Sequence, residues 1–311
     1  LRREIRDIAA HPALASAVKH PIGGLTGLGS LVYGLTRIGD LLGDPGLLDD
    51  AQAVTGWITE ERIAEDDQLD VMMGAAGTLL ALLAFAERRP DAKGNGSTPL
   101  ELALACARRL ASERGRPLPS GFCHGSAGIS SALSRLYAQT GKAWLQEAAE
   151  ELLADERALW MPAARNWKMS AQGEPRLFNS WCKGAPGIVL GRLSLLDLSA
   201  DPLVAEEISA GLHTTARGPL SATDDLCCGN AGRVDVLVEA HRRLGDPDLL
   251  ESARELADAL LERARRQGFY SIRLRGEIVL DARFFPGLAG LGYSLLRLIA
   301  AERLPCVAAM M

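Results

Sequence analysis

Residues 181–188 read Trp-Cys-Lys-Gly-Ala-Pro-Gly-Ile, and the step inside them, Gly184-x-x-Gly187, recurs along the chain. The other pairs are Gly24/Gly27, Gly74/Gly77, Gly125/Gly128, Gly229/Gly232 and Gly287/Gly290. Successive first glycines are 50, 51, 59, 45 and 58 residues apart, so the chain reads as a repeat of units that each hold two helices and their loops. Apolar stretches follow the pairs, for example 28–38, 78–86, 129–136 and 291–299. These are apolar on more than one face, which predicts burial on several sides. Between them lie amphipathic segments at 47–64, 99–113, 144–159, 204–215 and 249–265, with charged residues on one side.

The simplest arrangement is all-α, a ring of inner helices inside a ring of outer ones: an α/α toroid with six visible repeats. Glycine at the start of each inner helix allows a tight turn and predicts backbone amides open at the helix N-termini. All six N-termini then face one end of the ring, where a site is expected. Two segments depart from helix. Residues 269–285 alternate in polarity around Gly276 and predict a short β-hairpin, while 161–180 is the longest irregular connection.

Composition agrees with a helical globular protein and excludes several functions. The 311 residues are 48% hydrophobic and only 5% aromatic, which fits close helix packing better than a β-rich core. With 34 basic and 39 acidic side chains the net charge is −5, and no basic run offers the footprint of a nucleic-acid binder or an anionic membrane surface. The longest nearly apolar run, 78–86, is far short of the ~20 residues of a membrane span. The charged opening residues show no secretory signal, so the expected location is cytoplasmic.

Cysteine placement carries the chemistry. Of the cysteines Cys106, Cys123, Cys182, Cys227, Cys228 and Cys306, four lie within two residues of a repeat glycine. So does His124, alone among His11, His20, His124, His213 and His241. Cys182, Cys227 and Cys228 immediately precede inner helices in adjacent repeats, and converge on one end of a toroid. Three thiolates match the count of a tetrahedral Zn²⁺ site that keeps one position open. The alternative, that a free cysteine is a small buried hydrophobe, is assigned to Cys106 and Cys306. A disulfide is the weaker rival, because adjacent cysteines bridge only with strain.

The motifs together resemble the lanthionine synthetase cyclase family, most closely the C-terminal cyclase domain of bifunctional class II lanthipeptide synthetases. They are Gly-Gly-Leu-Thr-Gly-Leu-Gly-Ser-Leu-Val-Tyr (23–33), Asp-Val-Met-Met-Gly-Ala-Ala-Gly (70–77), Cys-His-Gly-Ser-Ala-Gly-Ile (123–129), residues 181–188, Cys-Cys-Gly-Asn-Ala-Gly-Arg (227–233) and Phe-Pro-Gly-Leu-Ala-Gly-Leu-Gly-Tyr (285–293). The resemblance implies a zinc-dependent enzyme that adds peptide cysteines to dehydroalanine or dehydrobutyrine in a dehydrated precursor peptide, forming lanthionine or methyllanthionine thioethers. It implies Cys182, Cys227 and Cys228 as zinc ligands, with Cys-Cys-Gly where the usual pattern is Cys-His-Gly. It implies His124 as the acid/base residue and Asp70 as its acidic partner. The family ring is sevenfold, so the resemblance further implies that 1–311 is one cyclase domain lacking its first repeat, with a dehydratase domain upstream.

Several neighbours are weighed beside these. Cys123 reads as packing, and Lys183 as either an offset to a negative site or a solvated side chain. Trp160, Trp167 and Trp181 line the site entrance or pack the core. The acidic pairs Asp66/Asp67 and Asp224/Asp225 lack the spacing of a glycosidase or terpenoid cyclase, the other chemistries of this fold. The competing reading is a zinc- and thiol-binding scaffold that holds a peptide without cyclising it.

Overall fold

A computed structural model describes residues 1–10, 21–199 and 201–311, so His11 and His20 lie outside the described residues. In chain order the helices are α1 (Arg2–Ala9), α2 (Leu28–Leu42), α3 (Pro45–Thr55), α4 (Glu60–Ala64), α5 (Ala75–Ala86), α6 (Pro99–Ala111), α7 (Ser126–Thr140), α8 (Ala143–Arg157), α9 (Ala185–Leu193), α10 (Pro202–Arg217), α11 (Asn230–Leu244), α12 (Pro247–Gln267) and α13 (Leu288–Ala300). Two antiparallel hairpins complete the set: β1 (Trp160–Met161) with β2 (Asn166–Trp167), and β3 (Arg273–Leu274) with β4 (Glu277–Ile278). None of the described helices is long and apolar enough to cross a membrane.

The chain forms two compact units. The first comprises residues 1–116 and 132–150 with Met310, the second 117–131 and 151–309 with Met311. In the first, α2 packs on its following helix α3, α5 packs on α6, and α2 lies against α5. In the second, α9 packs on α10 and α11 on α12, while α11 also contacts α9 and α13. The alternation of inner and outer helices is that expected from the glycine steps. Every residue from Ala75 to Phe85 of α5 and every residue of α9 is buried. The outer α12 instead buries a single stripe, Ala253, Leu256, Ala257, Leu260 and Ala264, at the three-to-four spacing of one helix face.

The glycine steps work differently from the sequence expectation. The first-turn amides are not open, because before α2, α5, α7, α11 and α13 the loop folds back and offers its carbonyls to them. Ala76 donates to Leu69 O at 3.1 Å, Ser126 to Pro119 O at 3.1 Å, Asn230 to Thr223 O at 3.2 Å and Leu288 to Asp281 O at 2.8 Å. Side chains take others: the Ala75 amide donates to Asp66 Oδ2 at 2.8 Å and the Ala185 amide to Asn166 Oδ1 at 3.0 Å. Buried donors demand such partners, and here the loop itself supplies them. The second glycine of the step is what permits the fold-back. A β-carbon at Gly77, Gly187, Gly232 or Gly290 would overlap the carbonyl oxygen six residues upstream, on Val71, Trp181, Leu226 and Phe284 respectively.

The first inner helix starts at Leu28, where the apolar stretch 28–38 places it: Gly27 caps α2, with Leu28 donating to Pro21 O at 3.0 Å, whereas α5, α9, α11 and α13 are capped by the first glycine of their pair. Two local expectations are corrected. The segment 47–64 is two helices, because Thr59 caps a new start by accepting from the Arg62 amide at 3.2 Å. Inner helices α2 and α13 are not covered on all sides, leaving Leu42 71% and Ile299 85% exposed. The hairpin at 269–285 is present but short, turned by Arg275 (φ 51°) and Gly276 (φ 90°), the two left-handed residues a tight hairpin requires. The irregular connection 161–180 contains the second hairpin and a bridge between Lys168 and Leu177.

Substituting Gly187→Ala should therefore cost about 2–3 kcal/mol through overpacking against backbone. Gly34→Ala, in α2 with nothing within 4 Å of the new carbon, should stabilise by up to ~1 kcal/mol. Denaturant melts of the two variants check the contrast, and equal midpoints would overturn the close-approach account.

Candidate metal centre

Cys182, Cys227 and Cys228 all belong to the second unit, on two loops that share hydrogen bonds. Cys182 sits in the tight turn before α9, where the Ser180 hydroxyl donates to Lys183 O at 3.0 Å and Gly184 (φ 87°) caps the helix. Trp181 anchors that turn. Its ring is buried and stacks on Phe285 with centroids 4.9 Å apart, and its indole N–H donates to Ala308 O at 3.0 Å. Cys227 and Cys228 occupy the turn before α11. The Cys227 amide donates to Phe285 O at 3.0 Å and the Cys228 amide to Asp225 Oδ1 at 2.7 Å. Finally the Cys182 amide donates to Cys227 O at 3.1 Å, which ties one loop to the other.

The result is a cluster of three sulfurs within 4.8 Å of one another, the group among the described residues able to hold a metal ion. Cys182 Sγ and Cys228 Sγ are 3.2 Å apart, and Cys228 Sγ and Cys227 Sγ 3.6 Å, with all three thiols free. A tetrahedral ion with metal–sulfur bonds of ~2.3 Å holds its ligands ~3.8 Å apart, so small side-chain adjustments accommodate one. Burial is graded: Cys182 is buried, Cys227 intermediate and Cys228 exposed. The exposed edge at Cys228 leaves room for a fourth ligand from solvent.

Proton sharing in the cluster points the same way. Hydrogen bonds from the Cys227 and Cys228 thiols push the Cys182 thiol down to about 3, with Ser180 and the Lys183 ammonium assisting against burial. Donating to that thiolate raises both partners, Cys228 to about 12. One negative charge is thus easy and three are not. Two thiolates ~3.5 Å apart repel by about 5 kcal/mol even at an effective dielectric of 20. A divalent cation removes that cost, and the donor set suits a thiophilic ion.

His124 lies on a neighbouring loop of the same unit. That loop's Gly121, at φ 111°, lies against the Cys182 and Lys183 backbone, and its Phe122 ring is 6.1 Å from that of Trp181. A β-carbon at Gly121 would be 2.7 Å from Cys182 O, so glycine sets how near the loops come. The loop is held from behind by Glu156, wholly buried, which accepts from the Gly121 amide at 3.0 Å and pairs with Arg192 at 3.0 Å. His124 is half-buried and Cys123 fully buried. Cys123 is not part of the metal-capable group, in keeping with a packing role. Asp70 belongs to the first unit, buried before α5, with its Oδ1 accepting from the Met73 amide at 2.7 Å.

Cys106 and Cys306 are buried, and burial pushes both thiols above their ordinary range, as packing residues should be. Trp167 is core rather than entrance, packed with Ala127, Leu159, Ala185 and Ile188. Sequence reasoning missed Ser180, Phe285 and above all Asp225, which it weighed only as half of an acidic pair. Its place three residues before Cys228, where an Asp side chain reaches back to a following amide, was the available signal.

The whole chain, residues 6–310, matches the model of the lanthionine synthetase C-like protein family, and the chain belongs to that family. Similar solved structures include a nisin cyclase, at 14% identity over 99% of this chain and 97% of that one, with a TM-score of 0.56. The cellobiose 2-epimerase of Spirochaeta thermophila DSM 6192 is 15% identical over 97% of this chain and 99% of that one, at 0.53. An alpha-1,6-mannanase of Salegentibacter sp. HEL1_6, an inactive variant solved with alpha-1,6-mannotriose, is 13% identical over 91% and 89%, at 0.57. At such identities these likenesses speak for the fold alone, and the α/α toroid class read from the glycine repeats agrees with them. No curated protein sequence matches the chain.

Because one thiolate is preformed and two thiols are not, loading a divalent ion should release about two protons at neutral pH, and affinity should rise with pH between 6 and 8. Calorimetry in two buffers of different ionisation enthalpy, with Cd²⁺ as probe, measures the proton count. Cys182→Ala should abolish stoichiometric binding while Cys106→Ala leaves it intact. Release of no protons, or of three, would contradict the assigned charge state.

Proposed function

We propose that this chain is a zinc-dependent lanthipeptide cyclase of the kind that forms the second half of bifunctional class II synthetases. The observation that carries the reading is the Cys182–Cys227–Cys228 cluster at the helix starts of a lanthionine synthetase C-like chain. When bound there, zinc supplies a fourth coordination position at which a peptide thiol is held as the nucleophilic thiolate at neutral pH. Asp225 and Ser180 hold the cysteine turns in the spacing that receives the ion. The substrate is a peptide already dehydrated at serine or threonine, so a dehydratase activity must act before this one.

The proton balance falls to His124. A thioether forms when the sulfur bonds to the β-carbon of the dehydro residue and the π pair moves to the α-carbon, while the proton lost by the thiol is returned there. In this reading His124 takes the first proton and delivers it to the α-carbon. An imidazole suits this because its ring nitrogens can both accept a proton and donate one. The family motif gives Asp70 the acidic role, so Asp70→Asn is included among the variants. The Cys-Cys-Gly sequence at 227–229 adds a further consequence. Three thiolates leave the loaded centre with a net −1 where two thiolates and a neutral imidazole leave it neutral, and the extra charge makes the substrate sulfur more nucleophilic.

The test is the loss of free thiols, by alkylation and mass spectrometry, when the zinc-loaded protein meets a dehydrated Cys-containing peptide. Thiols should disappear with time. His124→Asn should slow their loss by ~10²–10⁴-fold at unchanged zinc content, and Cys228→His should slow it at equal occupancy. Zinc bound with thiols persisting would establish the competing reading, a thiol-binding scaffold without cyclase activity.

A further inference from the structure

Two cations gather on one ring in the segment that leads into Cys182, and apart from the support Lys183 gives the Cys182 thiolate neither has a role in the metal and proton chemistry. Lys183 directly follows Cys182, and its ammonium sits 5.5 Å from the centroid of the Phe178 ring. The Arg176 guanidinium sits 5.5 Å from the centroid of the same ring. Several other cations of this unit find carboxylates, Arg157 and Arg192 on Glu207, Arg263 on Asp224, and Arg297 on Asp235 and Glu239, while Arg233 spends its donors on the backbone carbonyls of Thr215, Gly218 and Pro219. Arg176 and Lys183 pair with no carboxylate among the described residues, including Glu174 on the same loop.

Their loop is held in place. The Met169 amide donates to Arg176 O at 2.9 Å, Asn166 Nδ2 to Phe178 O at 3.0 Å, and Asn179 Nδ2 to Thr214 O at 3.0 Å. Both cationic groups therefore stand against one aromatic ring on a pinned segment that leads into Cys182. Such stacking favours a cation without consuming its hydrogen-bond donors, which stay available to a ligand.

The charge of the centre gives these donors a purpose. Three thiolates around a dication leave −1, a substrate thiolate makes it −2, and the buried Asp225 lies behind. A carboxylate near the reacting cysteine of a peptide would be repelled by that charge. We propose that Arg176 and Lys183 form an anion-accepting rim of the centre, which selects peptides carrying a carboxylate side chain one or two residues from the reacting cysteine. An extended peptide advances ~3.3 Å per residue, so such a side chain falls beside Lys183 when the thiol reaches the cysteines. The inference rests on reading the centre as a peptide-thiol site, and deepens it to a substrate class.

The test uses three fluorescein-labelled hexapeptides, each with one cysteine and with unmodified serine where a dehydro residue would be, so none can cyclise. They differ only beside the cysteine, in Glu, Gln or Lys, and anisotropy reads their binding to the zinc-loaded protein at low salt. The Glu peptide should bind about fivefold more tightly than the Gln peptide, and the Lys peptide more weakly than either. In Arg176→Gln/Lys183→Gln, compared at equal zinc loading, the Glu preference should collapse, and Arg176→Lys/Lys183→Arg should restore it. Equal binding of Glu and Gln peptides, or a preference that survives the double Gln variant, overturns the rim. Binding of none of the three overturns the rim together with the peptide-thiol reading. Persistent thiols in the turnover assay, with the Glu preference intact, overturn the cyclase reading alone.

Discussion

A helix that starts inside a protein has amides with no partner in its own first turn, and satisfying them organises this molecule. Before α2, α5, α7, α11 and α13 a loop doubles back so that its carbonyls, seven residues upstream, reach the first turn, and before α9 the Asn166 side chain takes the Ala185 amide. The close approach leaves no space for a β-carbon at the second glycine of the step. Helix position, loop path and the residues between the two are thereby coupled. Those intervening residues are where the chemistry sits: Cys182 lies between Trp181 and Gly187, and Cys227 and Cys228 between Leu226 and Gly232. The site is assembled by the same contacts that start the helices.

The second constraint is electrostatic. Three cysteines are brought together in a way that favours one thiolate and resists the next two, so the cluster is poised for a cation rather than complete without one. Around it, several buried charges are paired. Glu156 is shared between Arg192 and the Gly121 amide, and Arg297 spans Asp235 and Glu239. Buried pairs of this kind add little net stability, but breaking one leaves an uncompensated charge. Glu156 thus restrains the loop that carries His124. Arg176 and Lys183 instead share the Phe178 ring, with no carboxylate partner among the described residues.

The repeat was legible because glycine at a close approach admits no substitute, so the pairs survive as spaced letters. The helix types followed from periodicity, since a helix buried all round and one buried on a stripe differ in pattern. The cysteine cluster was legible for the same reason as the glycines: Cys182, Cys227 and Cys228 stand at matching places in adjacent repeats. The break at Thr59 was not, since a cap inside an apolar-periodic segment looks like an ordinary surface threonine. Nor was it legible that the other inner helices begin inside the step, at Ala75, Ala185, Asn230 and Leu288, because the two glycines of a pair are chemically alike.

What the sequence determined by itself is therefore the repeat, the helical class and the identity of the sulfur donors, all of which depend on residue type at fixed spacing. Tertiary structure alone decided what surrounds them. Asp225 gripping the Cys228 amide, Phe285 bridging Trp181 and Cys227, and two cations sharing Phe178 join residues from different loops or depend on a turn's exact path. Such contacts leave no periodic trace. They arise when loops, each folded back on its own helix, meet at one end of the second unit and must satisfy one another's donors.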